Sequence, residues 1–113
     1  MIELMIVIAI IGILAAIAIP QFSAYRTRSY NSAAQADLSN AAPAQEAYFG
    51  DENPYCASAV TLLVGTYGMP GLSPTVTSLR TTGSDTAYSM KSGNSAGEAS
   101  YSINGPGGSI RNL

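Results

Sequence analysis

The stretch that decides the fold is MIELMIVIAIIGILAAIAIPQF, residues 1–22, in which an almost continuous apolar run carries a single acidic side chain. Every residue from 1 to 19 is apolar or glycine except Glu3. As a helix, residues 1–19 would extend about 28 Å, close to the roughly 30 Å hydrocarbon core of a bilayer. Because the run is apolar on all sides, it is not an amphipathic surface helix. It is predicted to lie in lipid or among other apolar helices.

Glu3 is the one charge in this run, and its position leaves three interpretations open. A carboxylate at mid-bilayer is unfavourable by about 2.5–3.5 kcal/mol, so Glu3 either lies at headgroup level or pairs with a cation. The first Lys or Arg is Arg26, so that cation would belong to another chain or be a terminal amine. Such a pair would specify register more than it would add stability. Alternatively, the run is a secretory signal with a cleavage site at residues 16–18, although no basic segment precedes it.

Residues 2–38, IELMIVIAIIGILAAIAIPQFSAYRTRSYNSAAQADL, resemble the N-terminal region of type IVa pilins, in particular the pilins of metal-reducing bacteria. The matching features are Glu3, the aliphatic run, Gly12, Pro20 and the Gln-Phe pair that ends at Phe22. The resemblance covers the first third of the chain. It implies an α+β fold, the type IV pilin fold, with a long N-terminal α-helical stem and a small antiparallel β-sheet head.

The resemblance also implies how the chain is processed and assembled. Pilins are made with a short basic leader that a dedicated prepilin peptidase removes, and the new terminal amine is then methylated. The glutamate that matches Glu3 pairs with the terminal amine of a neighbouring subunit. The family usually has a few more residues ahead of Ile2, beginning with Phe, so Met1 is interpreted as a truncated or replaced start. The expected partners are copies of the chain itself, the inner membrane before assembly, the peptidase and the pilus assembly machinery.

Gly12 and Pro20 bracket the segment Ile13–Ile19, and both residue types weaken a helix. Glycine lowers helix stability by about 1 kcal/mol relative to alanine, and proline in a helix interior lowers it by about 3 kcal/mol. In lipid the segment should stay helical, because unsatisfied backbone groups are strongly unfavourable there. The residues therefore predict a modest kink at Pro20. The resemblance to pilins adds an alternative, in which part of Ile13–Ile19 extends when the filament forms.

The chain after Pro20 is predicted to continue as a helix with a weak apolar stripe. The stripe residues recur mostly at three- and four-residue steps: Phe22, Tyr25, Tyr30, Ala33, Ala34, Leu38 and Ala41. The helix is predicted to reach about Tyr48 and to end at Gly50. Pro43 is predicted either to kink it or to open a short second helix.

The composition divides the chain into a hydrophobic stem, an amphipathic second half of the helix and a loop-rich β head, at residues 1–20, 21–49 and 50–113. Short apolar or alternating runs in the head are candidate strands: Thr61–Gly65, Ala87–Lys91, Ala99–Asn104 and, at the end, Ile110. A hairpin is predicted around Ser92–Glu98, with further turns at 83–86 and 104–108. The head has few large apolar residues and needs the helix stripe as its second layer.

Aromatic residues lie on or beside the predicted helix and have two interpretations. The residues are Phe22, Tyr25, Tyr30, Tyr48, Phe49 and Tyr55. Packing of the helix against the head and against neighbouring copies is the simpler interpretation, because aromatic rings pack well in such contacts. In the pilins that the chain resembles, such residues are also argued to carry electrons.

Composition excludes several function classes. The net charge is −2, 11% of residues are charged and the five cations are scattered along the sequence, so no basic patch for nucleic acid is predicted. The chain has no histidine, which excludes His-bearing metal sites and His-based triads. Cys56 is the one cysteine and is predicted to be buried or inert, with an intersubunit bridge or a covalent cofactor link as alternatives. No enzymatic activity, cofactor or metal is predicted.

The function predicted from these features is that of a structural subunit of a type IV pilus. Such a subunit polymerises through its N-terminal helix into an extracellular filament for adhesion, motility or surface contact. The precursor is expected in the inner membrane and the assembled pilus on the cell surface. The alternatives are a type II secretion pseudopilin and an electron-conducting pilin. Pseudopilin heads often bind calcium, and this chain has no convincing acidic loop, which favours the pilin.

Overall fold

A computed structural model describes residues 1–95 and 99–113 of the chain. Two helices precede four strands, in the order α1 (Ile2–Glu52), α2 (Ala59–Leu62), β1 (Val76–Gly83), β2 (Tyr88–Asn94), β3 (Ser100–Gly105) and β4 (Arg111–Asn112). The strands form one antiparallel sheet in the order β1-β2-β3-β4. The molecule measures 76 × 24 × 18 Å, because α1 extends well beyond the part that the sheet covers. The predicted α+β fold, with a long helical stem and a small antiparallel head, is confirmed.

Helix α1 continues past the predicted end at Gly50 and stops at Glu52. The capping residue is Asn53, whose left-handed backbone (φ 40°, ψ 66°) lets its N–H donate to the carbonyl of Phe49 at 3.1 Å. Asparagine tolerates this conformation better than most residues, and Pro54 then prevents further helix. The prediction that Gly50 ends the helix is therefore wrong.

Helix α1 also runs without interruption through both of its prolines, Pro20 and Pro43. The alternative that Pro43 opens a second helix is wrong, because residues on both sides of it belong to one helix. The kinks predicted at these two prolines stay predictions.

The core lies between one face of α1 and the inner face of the sheet. Six side chains of α1 are buried: Ala34, Asp37, Leu38, Ala41, Ala44 and Gln45. Three of the six are alanines, which let the sheet approach the helix axis closely. The hydroxyl of Ser92 on β2 donates to the backbone carbonyl of Ala34 at 2.9 Å. Large apolar side chains from the head complete the core: Leu62, Met69, Val76, Leu79, Tyr88, Met90, Tyr101 and Ile103.

Two of the predicted strands are confirmed and one is wrong. The run Ala87–Lys91 falls largely in β2 and Ala99–Asn104 largely in β3, and Ile110 comes just before the short β4. The run Thr61–Gly65 is instead the end of α2 and a turn, and it buries Leu62 completely. A helix of one turn with a single buried apolar side chain is too short to show a helical periodicity that would distinguish it from a strand.

Strand β1 was not predicted, because its buried positions do not alternate cleanly. Val76, Leu79 and Thr81 are buried, and the pairing register with β2 shifts between Val76 and Ser78. This irregularity places two exposed residues in succession, so the strand lacks the strict alternation of buried and exposed residues by which strands are recognised in a sequence.

The predicted hairpin is present as paired strands, with β2 and β3 in register from Tyr88↔Gly105 to Gly93↔Ser100. Its turn was predicted at Ser92–Glu98. Residues 92–94 belong to β2, and residues 96–98 lie outside the described residues. The turns predicted at 83–86 and 104–108 connect β1 to β2 and β3 to β4, respectively.

Candidate assembly surface on the exposed stem

The N-terminal part of α1 has no partner within the chain. Every side chain from residue 1 to residue 26 is exposed, and the large apolar ones keep at least half of their surface accessible. Helix α1 is long and apolar enough to cross a membrane, and its most apolar stretch is entirely unburied. Exposed apolar surface on this scale marks a site that lipid or another protein covers.

Glu3 lies in the first turn of this exposed helix. Its side chain is 92% exposed, and its Oε2 lies 3.3 Å from the terminal amine of Met1. Among residues 1–95 and 99–113 this is the one ion pair, and an exposed pair of this kind adds little stability. The carboxylate is therefore accessible to a group from outside the chain, at the tip of the stem.

Gly12 and Pro20 lie on the exposed stem, away from the head. A β-carbon added at Gly12 would meet no atom within 4 Å, so nothing within the chain requires a glycine there. Both residues nevertheless sit inside a continuous helix that each of them weakens. Any advantage they give must come from contacts or changes outside the isolated chain.

Phe22, Tyr25 and Tyr30 lie where the stem meets the head. Phe22 is 66% exposed and Tyr25 63% exposed, so the head does not cover this part of the predicted stripe. Two arginines flank the rings: Arg26 donates to the Tyr30 hydroxyl at 2.8 Å, and the Arg28 guanidinium lies 5.9 Å from the Tyr25 ring centre. This junction combines apolar rings with positive charge, as a helix leaving a membrane interface does.

Phe49 and Tyr55 belong to a different aromatic group, at the far end of α1. Phe49 stacks on Tyr55 with ring centres 4.4 Å apart, and Tyr55 lies 4.9 Å from Tyr88. The Tyr55 hydroxyl donates to a Glu46 carboxylate oxygen at 3.2 Å. Burial, and then the negative charge of Glu46, raise the pKa of Tyr55, and the same two causes raise the pKa of Tyr88.

The two aromatic groups are well separated along α1. Tyr30 and Tyr48 are eighteen residues apart, which corresponds to about 27 Å of helix. In the described part of the chain no ring contact joins the groups; the remaining ring pair is Tyr48 with Tyr67 at 5.1 Å, also in the head. The contacts around Tyr55 are those of packing, and the rings of one chain form no continuous path.

Sequence reasoning missed two buried polar residues of α1 that attach the head to the helix. Gln45 is fully buried; its amide group donates to the Cys56 carbonyl (3.0 Å) and the Thr81 hydroxyl (2.7 Å), and its carbonyl accepts from the Cys56 N–H (2.9 Å). Asp37 accepts from the N–H and the hydroxyl of Ser73, at 2.8 and 2.9 Å.

A signal for these residues was present in the sequence. Asp37 and Gln45 fall on the same helical face as Leu38 and Ala41, so a polar side chain interrupts the apolar stripe at two positions. A polar residue on a buried face requires hydrogen-bond partners, and here the loops that follow α1 supply them.

The lone thiol is buried inside this attachment region. Cys56 is 2% exposed and unpaired, and its Sγ donates to the carbonyl of Ser58 at 3.1 Å. Its backbone is held by Gln45, so the residue acts as part of the head's packing. Over residues 1–95 and 99–113, no group of three or more acidic, Cys or His side chains is placed to hold a metal ion.

The fold and the stem together define a class of protein: a small α+β head carried on a helix whose apolar half must be covered by lipid or by other proteins. Comparison with known proteins identifies the family. The chain is 38% identical over 97 residues to the type IV wide pilus major component PilA4 of Thermus thermophilus, covering 86% of this chain and 72% of that protein. It is 51% identical over 55 residues to the type IV major pilin protein PilA of Myxococcus xanthus. The chain belongs to the type IV pilin family.

The two matches differ in extent. The match to the Myxococcus pilin covers 49% of this chain and only 25% of that protein, whereas the match to the Thermus pilin extends over most of both chains. No protein-family model matches the chain. Both relatives are named as major pilus subunits, so the pseudopilin and electron-conducting alternatives are not favoured.

Proposed function

We propose that this chain is the repeating subunit of a type IV pilus and polymerises through its N-terminal stem. The observation that supports this most strongly is the contrast along α1: the head has a complete core, while residues 1–26 bury nothing. Full burial of one Ile or Leu side chain contributes about 1.5–3 kcal/mol, so a stem that covers its neighbours' stems gains a large stabilisation. In the precursor, the inner membrane covers the same surface.

Glu3 sets the register of the stems in this proposal. When stems pack side by side, its carboxylate enters apolar surroundings and needs a cation. A pair at 4 Å attracts by about 4 kcal/mol at an effective dielectric constant near 20, and desolvation offsets much of this. The terminal amine of a neighbouring subunit has the required charge. An unpaired buried carboxylate is strongly unfavourable, so an arrangement in which the stems are out of register is less stable than the paired one.

The segment between Gly12 and Pro20 is the proposed site of backbone change on assembly. Irregular backbone is tolerated where protein, rather than lipid, surrounds it. We expect some amides of Ile13–Ile19 to exchange with deuterium in assembled filaments faster than those of Leu4–Ile11. Full protection of every amide from Gly12 to Ile19 would contradict the extension.

Further parts of the proposal concern processing and location. A prepilin peptidase cleaves the leader, the assembly machinery extracts the subunit from the inner membrane, and the finished pilus is extracellular. These steps are part of the proposal; membership of the family supports them, and the chain's own contribution is the stem. Adhesion, motility or surface contact would then be properties of the filament.

Replacement of Glu3 tests the proposal. In a cell that uses this chain as its pilin, Glu3→Gln should leave the precursor in the membrane fraction and reduce sheared surface pili below detection. Glu3→Asp keeps the charge and serves as the matched control, with partial assembly expected. A normal pilus yield from Glu3→Gln would contradict the role of the carboxylate. Absence of any filament from the unaltered chain would contradict the proposed function itself.

A further inference from the structure

Three of the chain's five cations lie in one row across the sheet, although the sequence spacing made them look scattered. Arg80 on β1 is the register partner of Lys91 on β2, Lys91 is the partner of Ser102 on β3, and Ser102 is the partner of Arg111 on β4. Directly paired residues of neighbouring strands point to the same face of a sheet. We call Arg80, Lys91 and Arg111 the cationic row.

The cationic row lies on the outer face of the sheet. The flanking residues Leu79 and Met90 are buried against α1, whereas Arg80, Lys91 and Arg111 are all exposed. Strands lie about 4.8 Å apart, so the row is about 15 Å wide and its two ends reach the two edges of the sheet. It is therefore accessible from outside and from both sides of the head.

The row is unfavourable for an isolated chain. Like charges directly opposite one another on neighbouring strands destabilise a sheet, and Arg80 and Lys91 are such a pair. The one ion pair among residues 1–95 and 99–113 is at the stem tip, so no described carboxylate pairs with the row. Edge strands often carry cations that prevent aggregation, which explains Arg80 and Arg111. It does not explain Lys91, on a central strand.

Three exposed carboxylates lie near the end of α1. Asp51 and Glu52 are the last residues of the helix. Asp85 is in the turn between β1 and β2, beside the chain that follows α1, because the Tyr55 N–H donates to the Ser84 carbonyl at 3.0 Å. We call these three residues, Asp51, Glu52 and Asp85, the acidic tip.

The cationic row and the end of α1 lie at different heights on the molecule. On one side of the row, Ser92 donates to the Ala34 carbonyl, and on the other side Thr81 accepts from the Gln45 amide, whereas Asp51 and Glu52 are the last residues of the helix. Along the helix, Asp51 is about 25 Å from Ala34 and about 9 Å from Gln45, and the offset of the row lies between these two values. Copies with parallel stems can therefore match row to tip only when one copy is shifted along the stem direction. A contact between two different surfaces of the same protein propagates and gives an open filament.

We propose that the cationic row of one subunit binds the acidic tip of a second copy of this chain. This rests on the proposed function, and adds a second contact in the heads that selects the axial shift between subunits. The charges are complementary on the same molecule, which favours a second copy over an external polyanion. The net charge of −2 and the acidic tip would repel such a polyanion. Glu3 and this contact then act at opposite ends of the subunit.

Charge reversal and charge exchange test this contact. The row variant is Arg80→Glu with Lys91→Glu, and the tip variant is Asp51→Lys with Glu52→Lys. All four positions are exposed, so thermal unfolding of each head should stay close to that of the unaltered chain. Each variant alone should lose about tenfold in filament yield, because like charges then face each other. The chain carrying all four substitutions should recover the yield, since the attraction is restored with the signs exchanged.

The outcomes separate this inference from the proposed function. Recovery of assembly by the four-substitution chain supports the row-to-tip contact. Unchanged yield from either two-residue variant overturns it while leaving the pilus function intact. Loss in the row variant alone, with a normal tip variant, would assign the row to an external polyanion and also overturn it. An unaltered chain that forms no filaments would overturn both proposals.

Discussion

The two halves of helix α1 have the same secondary structure and opposite surroundings. From residue 1 to residue 26 no side chain is buried, while the second half buries six side chains under the sheet. The second half uses small residues and two polar attachments to hold a head, and the first half presents large aliphatic residues to whatever lies outside. The head and the second half of α1 thus share a complete core, whereas the stem has no core within the chain and must find a partner.

The largest expected difference between the halves comes from truncating an apolar side chain in each. Leu38→Ala, in the core, should destabilise the head by about 2–5 kcal/mol, because it leaves a cavity under the sheet. Ile10→Ala, on the stem, should leave head stability unchanged, since Ile10 is 52% exposed and does not pack against the core. Chemical unfolding of the full chain in detergent, monitored by the circular dichroism of its tyrosines, measures the stability change in each variant. Equal losses would mean that the stem is part of the head's cooperative unit.

Glycine replacements should have opposite signs in the two regions. A β-carbon at Gly83 would collide with the backbone carbonyls of Tyr55 and Cys56, so Gly83→Ala should destabilise the head by about 1–3 kcal/mol. Gly12 has open space around it, and Gly12→Ala should strengthen the stem helix by about 1 kcal/mol. Head unfolding checks the first change, and amide exchange of the stem in detergent checks the second. A tolerated Gly83→Ala would show that β1 is not held against the chain after α1.

A smaller effect is expected from the buried amide of α1. Gln45→Leu fills the same space but leaves the buried Cys56 N–H without an acceptor, which should destabilise the head by about 1–2 kcal/mol. Gln35→Leu, at an exposed position of the same helix, is the matched control and should change stability little. The same unfolding measurement applies. Identical stabilities for the two variants would show that the Gln45 hydrogen bonds contribute nothing net.

The smallest effect concerns alkaline pH and should be confined to the head. Burial and the nearby Glu46 raise the pKa of Tyr55 and Tyr88 above the ordinary tyrosine value near 10. As pH rises past 10, the unfolded chain loses these protons first, so head stability should fall from that pH until the folded-state pKa values are passed. Phe replacement of Tyr88 should reduce this dependence. A head whose stability rose above pH 10 would contradict the assigned cause.

The stem and the central hairpin could be predicted from sequence because each has a clear pattern. A run that is apolar on every side can only be covered by lipid or protein, and the runs at 87–91 and 99–104 show the alternation of half-buried strands. Strand β1 lacks that alternation because its register shifts after Val76. The true end of α1 was missed because Gly50 is a stronger stop signal in sequence than Asn53.

The charged surfaces of the head could not be predicted, because they exist only through strand register. Arg80, Lys91 and Arg111 are eleven and twenty residues apart, and the pairing of four strands places them side by side. A slip of one residue in β1, β2 or β4 would send the charge of that strand to the other face. The stem follows from local composition, whereas the head's surface follows from long-range pairing.

A reconstruction of the assembled filament at side-chain resolution would show what covers the stems. We expect Ile2–Ile19 of each subunit to be covered by the stems of other copies, with the Glu3 carboxylate within hydrogen-bond distance of another copy's terminal amine. A purified chain that stays monomeric in detergent-free buffer, or a filament in which the stems remain bare or fold against their own heads, would contradict this expectation.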